Sequence, residues 1–350
     1  MLVSLLVACD GADSAPEPEL VDALPDQALL EITLPGEMLD LTAAPLAFIE
    51  APLIGQRSGL RDLTRGVRTY LTTTIGQLLE HLERITATRP FAESTERTLW
   101  KVRAPDGQRE YGVTLRRLDD GRVSVNGWLR PLREREPPWR FLFAGTIQTD
   151  GNTARGALHI DLDNDLSPRS RGKMLVLYSV VGSGPTQRRL IEVVVFDGTP
   201  DDEAVSRLTR TFRYEDGPDG GLLAFDAGEL DVHNGHLATD RPGKERVRVA
   251  TRWNPAGAFR ADYAAIGPEV KRDGLRVLLG GECWQAPDPA ILYEQRLAVP
   301  ADDRPPLTLF ERGDATACPF PDQDVPIVPA PGAAPAPPPR PTDLDTLPVD

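Results

Sequence analysis

Two short stretches hold the side chains most able to do chemistry. Asp161-Leu162-Asp163-Asn164-Asp165 offers alternating oxygen ligands, as a calcium loop does. Asp231, His233 and His236 offer a carboxylate and two imidazoles in His-x-x-His spacing, which are zinc ligand types. Each meets an objection in its own spacing. In an EF-hand counted from Asp161, Leu166 stands where the sharp turn needs glycine, and Gly172 stands where the bidentate Glu belongs. The EF-hand is excluded, and an acidic exit from a strand is the plainer reading; Asp161, Asp163 and Asp165 stay as candidates for a non-EF site. Asn234-Gly235 between the two histidines marks a turn, with no helix to hold both rings on one face. A solvent-exposed loop is expected there, with a metal-assisted hydrolase as the alternative function.

Other catalytic sets do not assemble. Gly182-Ser183-Gly184 lacks the glycine spacing of a nucleophile elbow. Four histidines (His81, His159, His233, His236) leave few bases for a triad, and neither a phosphate loop nor a dinucleotide fingerprint is present. The reading leans away from an enzyme, and no cofactor is called for.

The elements that must position these residues are mostly strands. Leu60, Leu63, Val67, Leu71, Ile75, Leu78, Leu82 and Ile85 recur at steps of three and four, which predicts one amphipathic helix. Ser58 suits its N-cap, and Pro90 requires it to have ended. Residues 28–34 predict a strand closed by Pro35-Gly36. From about Thr98 to Pro300, short β-rich runs alternate with turns that pair Gly with Asp or Asn, such as Asp119-Asp120-Gly121, Asp150-Gly151-Asn152 and Asp216-Gly217. No connection is long enough for a parallel crossover. The fold class is therefore mainly β: an antiparallel meander (a curved sheet, half-barrel or sandwich) with one packed helix near the N-terminus. Residues 1–9 read as a partial signal, 10–26 as an acidic linker, 27–320 as one domain and 321–350 as a proline-rich tail.

The net charge of −14 is concentrated at the ends. Six acidic and no basic residues lie between Asp10 and Asp26, and five acidic residues with one arginine lie from Pro321 onward. The middle is left with −4. No dense basic patch supports nucleic-acid binding.

Leu6-Val7-Ala8-Cys9 resembles the lipobox of bacterial lipoproteins. The resemblance covers nine residues and implies a mature chain beginning at Cys9, acylated there and anchored to a membrane by several chains, since one acyl chain binds only reversibly. A signal peptide also needs a basic start, which Met1-Leu2-Val3-Ser4 lacks, so the true start is expected upstream. Lipidation of Cys9 leaves Cys283 and Cys318 as an even pair, expected to join in an oxidising envelope compartment. The function that follows is a non-catalytic cell-envelope protein that binds a lipophilic ligand or an envelope partner, or serves structurally. A curved sheet under a helix resembles, in layout alone, envelope lipid-carrier half-barrels.

Overall fold

The computed structural model describes residues 20–36, 58–104, 107–132, 138–164, 172–196, 211–230, 245–288, 290–302 and 304–320. Fifteen strands form one antiparallel sheet whose spatial order equals chain order. The first five are β1 (Ala92–Glu93), β2 (Arg97–Arg103), β3 (Arg109–Arg117), β4 (Val123–Pro131) and β5 (Arg140–Asp150). Next come β6 (Thr153–Asp161), β7 (Lys173–Val181), β8 (Arg188–Phe196), β9 (Thr211–Gly217) and β10 (Gly220–Leu230). The series ends with β11 (Glu245–Trp253), β12 (Ala258–Ile266), β13 (Leu275–Gln285), β14 (Tyr293–Pro300) and β15 (Leu307–Gly313). The sheet does not close, so β1 and β15 are its two edges. The expected meander is thus a single open sheet.

The long helix, α2 (Gly59–Thr86), follows a four-residue helix, α1 (Gln27–Leu30). Ser58 caps α2, its Oγ accepting the Arg61 amide at 3.0 Å. All eight stripe residues named from the sequence are buried, in one core with the inward side chains of the sheet. Contacts along α2 run backward through the strands. Ser58 bonds to Glu282 of β13, Thr64 to Thr251 of β11, and Tyr70 lies beside Phe212 of β9. Near the far end, His81 bonds to Tyr111 of β3, and Trp100 of β2 donates to the Thr88 carbonyl just past the helix. The 28 residues of α2 span about 42 Å. Eleven interstrand steps from β2 to β13 cover about 53 Å along the sheet. An arc longer than its chord requires the sheet to bend over the helix, which therefore lies within the concave face.

The bend is lined by close glycine–aromatic pairs. Gly127 faces Phe143, Gly156 faces Tyr178, Gly221 faces Trp253 and Gly280 faces Tyr263, each pair directly opposite in register. A Cβ on any of these glycines would come within 2.2–2.6 Å of the partner ring's atoms, closer than packed side chains tolerate. The ring covers backbone that glycine leaves bare, an arrangement that supports strongly curved sheets.

Two expectations about the N-terminal part are corrected. The packed chain begins earlier than residue 27: Leu20 is already buried in the core, in a 3-10 turn over Leu20–Ala23. Residues 28–34 are not a sheet strand. Asp26 accepts the Ala28 amide and starts α1, and the chain then runs extended with Leu30, Ile32 and Leu34 buried. Side chains replace the ladder here. Arg189 donates to the Glu31 carbonyl (2.9 Å) and Thr33 Oγ1 (2.8 Å) while pairing with Asp216 (2.6 Å). Arg68 donates to the Ile32 carbonyl at 2.8 Å. The segment is thereby held between helix and sheet.

Candidate functional site

The convex face of the sheet carries a shallow trough in two adjoining parts. One, of about 490 Å³, is lined by Val181, Leu190, Leu222, Arg188, Arg213 and Phe320 among others. The other, of about 560 Å³, is lined by Arg122, Thr146, Gln148, Arg155 and Ser179 among others. Ser179 on β7 lines both. These side chains share a face because residues two apart on a strand point the same way. Val181 is 51% exposed and Leu177, on the same face of β7, 38%.

The trough's arginines are held by neighbours. Arg213 meets Glu192 (3.1 Å) and Glu215 (2.5 Å), Arg188 meets Asp219 (3.0 Å), and Arg155 bonds to Gln148 (2.7 Å). Arg122 holds the Asp120 carboxyl below its ordinary range through a hydrogen bond. Six arginines (Arg122, Arg155, Arg188, Arg189, Arg213 and Arg252) line the trough with three acids (Glu215, Asp216 and Asp219), and Arg155 meets an uncharged amide, so the lining is mixed in polarity with an excess of positive charge. Its described lining holds no histidine or cysteine. Burial keeps the Tyr178 phenol protonated far above its usual range, so it offers no base.

One end of the trough is set by the disulfide. Cys283 on β13 is bonded to Cys318, 35 residues on, with the Cα atoms 5.6 Å apart. The bond draws the segment Asp314–Phe320 onto the convex face of β12–β14. Arg260 donates to the Phe320 carbonyl at 2.8 Å and to Asp262 at 2.8 Å, and Arg252 lies 5.0 Å from the Phe320 ring centre.

On the concave face, beneath the start of α2, lies a buried polar cluster. Glu282 accepts Ser58 Oγ (2.5 Å) and the Leu60 amide (3.2 Å). Glu294 stands opposite it on β14, and Arg296 donates to Glu294 at 3.2 Å. Tyr263 of β12 shares this face: it opposes Gly280, whose other neighbour is Arg296. Burial raises Glu282 to about 7, with Glu294 adding to the shift. Burial raises Glu294 as well.

The residues singled out from the sequence are scattered. His159 is buried on the convex face beside Phe141, and burial, with Lys173 nearby, lowers its pKa. Burial likewise lowers His81 inside the helix–sheet contact. Asp161 accepts the Asp163 amide, and Asp163 accepts the Gly172 amide, so both brace the turn after β6. Asp165, Asp231, His233, His236 and Cys9 lie outside the described residues. Among the described residues no three His, Cys, Asp or Glu side chains are grouped to hold a metal. Cys283 and Cys318 are joined, as the pairing argument expects. Sequence reasoning did not find the Glu282–Glu294–Arg296 cluster; the available signal was a run of charged residues within strands that flank glycines and a tryptophan.

No known protein family, curated protein or solved structure matches this chain.

Proposed function

We propose that the chain is an exported envelope protein, anchored through an acylated Cys9, whose folded part binds a partner on its convex face and does not turn over a substrate. The observation that carries this reading is the filled concave face. Leu60, Leu63, Leu71 and Leu78 are fully buried against the sheet, where a lipid carrier would need room for its cargo. A lipid between helix and sheet would have to displace these contacts, each buried leucine contributing roughly 1.5–3 kcal/mol. Among the described residues the trough, with its apolar floor and arginine-rich rim, offers a surface for recognition. The Cys283–Cys318 disulfide supports an oxidising compartment, and the lipobox supports the anchor.

The anchor is tested by fractionation. Expressed behind a basic n-region, the wild-type chain is expected in the membrane fraction and Cys9→Ser in the soluble fraction. A Cys9→Ser chain that remains with the membrane would overturn the anchor.

A further inference from the structure

Glu282 and Glu294 face each other across β13 and β14, 3% and 1% exposed. Side chains directly opposite in an antiparallel pair have Cβ atoms about 4.5–5.5 Å apart. Two negative charges that close in a water-poor interior are strongly disfavoured. The surroundings compensate them incompletely. Arg296 supplies one buried positive charge, bonded to Glu294. Arg312, opposite Glu294 on β15, stacks on the Phe310 ring and attracts Glu294 from a partly exposed position. From β12, Tyr263 presents a neutral phenol, pushed up to about 12. From α2, Ser58 Oγ and the Leu60 amide both donate to Glu282. Among the described residues the Tyr263 hydroxyl, Glu294 Oε2, and Arg296 Nε and Nη1 are buried without a hydrogen-bond partner.

We propose that Glu282, buried opposite Glu294, holds a proton while α2 is seated, and that losing it as pH rises through neutrality releases the first turn of the helix from the sheet. The sign follows from linkage. The seated state raises the carboxyl pKa, so it binds the proton more tightly than an opened, hydrated state. Seating is strongest below the ordinary carboxylate range, near 4.5, and weakens as pH climbs toward and past about 7. Opening the turn would uncover Leu60 and, with it, the edge of the concave face beneath the start of α2. The element with two positions is the Ser58–Arg61 turn, and the remainder of α2 stays packed.

The test is amide hydrogen exchange on the whole chain, with Leu60 and Arg61 each measured against Leu71 in the same helix so that intrinsic base catalysis cancels. Between pH 6 and 8 the ratio is expected to rise about tenfold, the linkage result for a group moving from about 4.5 to about 7. Glu282→Gln keeps an acceptor for Ser58 and is expected to abolish the rise. Glu294→Gln removes the neighbouring charge and is expected to move the rise to lower pH. A flat ratio in the wild type, or an unchanged rise in Glu282→Gln, overturns the proposal. Should Glu282→Gln fail to fold, an unshifted rise in Glu294→Gln overturns it equally.

Discussion

Leu71→Ala is expected to destabilise the protein by about 3 kcal/mol or more. Leu71 is fully buried at the middle of α2, and removing three methylene-sized groups there loses transfer free energy and leaves a cavity. The flanking Val67 and Ile75, on the same stripe, are themselves fixed against the sheet, so collapse around the void is limited. Chemical unfolding monitored by tryptophan fluorescence reads the loss as a lower midpoint. Leu309→Ala, on the exposed face of the edge strand β15, serves as the comparison and is expected to change stability by less than about 0.5 kcal/mol. The contrast bears on function. A helix that served as a lid over a ligand cavity would tolerate Leu71→Ala nearly as well as the edge substitution, because its seat would be loosely packed.

Removing the disulfide is expected to cost about 4 kcal/mol. The Cys283–Cys318 bond closes a loop of 35 residues, and the chain-entropy relation for that length gives this magnitude. Its loss also loosens the segment that covers the convex face. Asp262 is fully buried between Arg252 and Arg260, and both arginines lean on Phe320. Water reaching this cluster would weaken pairs that are strong because they are dry. The double substitution Cys283→Ser with Cys318→Ser, followed by thermal unfolding, is the measurement, and wild-type protein in strong reductant should match it. Equal unfolding temperatures with and without the bond would show that the segment is held by its polar contacts alone. Because Phe320 lines the trough, the same variant is expected to lose the trough's shape at that end.

The parts of this fold that were legible in the sequence are those whose signal is local. The stripe from Leu60 to Ile85 and the Ser58 cap need nothing beyond their own spacing to declare α2. Strands such as β3, β4, β7 and β8 announce themselves through β-branched alternation and Gly-Asp or Gly-Asn turns. What stayed hidden depends on distant partners. Strand β12 is rich in alanine, at Ala258, Ala261, Ala264 and Ala265, which dilutes its alternation. Strand β15 follows Pro305-Pro306 and is largely exposed, so it reads as loop. Residues 28–34 look like a strand because they are apolar, yet their carbonyls are claimed by Arg68 and Arg189 from far along the chain. The cluster at Glu282 was concealed by the ordinary rule that charged strand residues face water. Its inward direction becomes visible once the register sets Glu282 against Ala261 and Glu294. The trough was equally unreadable, since it is assembled from strands that meet only through the sheet.

The central claim is that the concave face is filled by the protein's own helix, leaving recognition to the outside. Native mass spectrometry of the chain purified from membranes tests it most directly. A single species carrying covalent acyl mass on Cys9 and no additional lipid is expected. A second lipid, bound without a covalent link, lost on unfolding and still retained when the trough is made polar by Val181→Asp with Leu222→Asp, would contradict the claim, because it would then lie where Leu63, Leu71 and Leu78 are packed against the sheet.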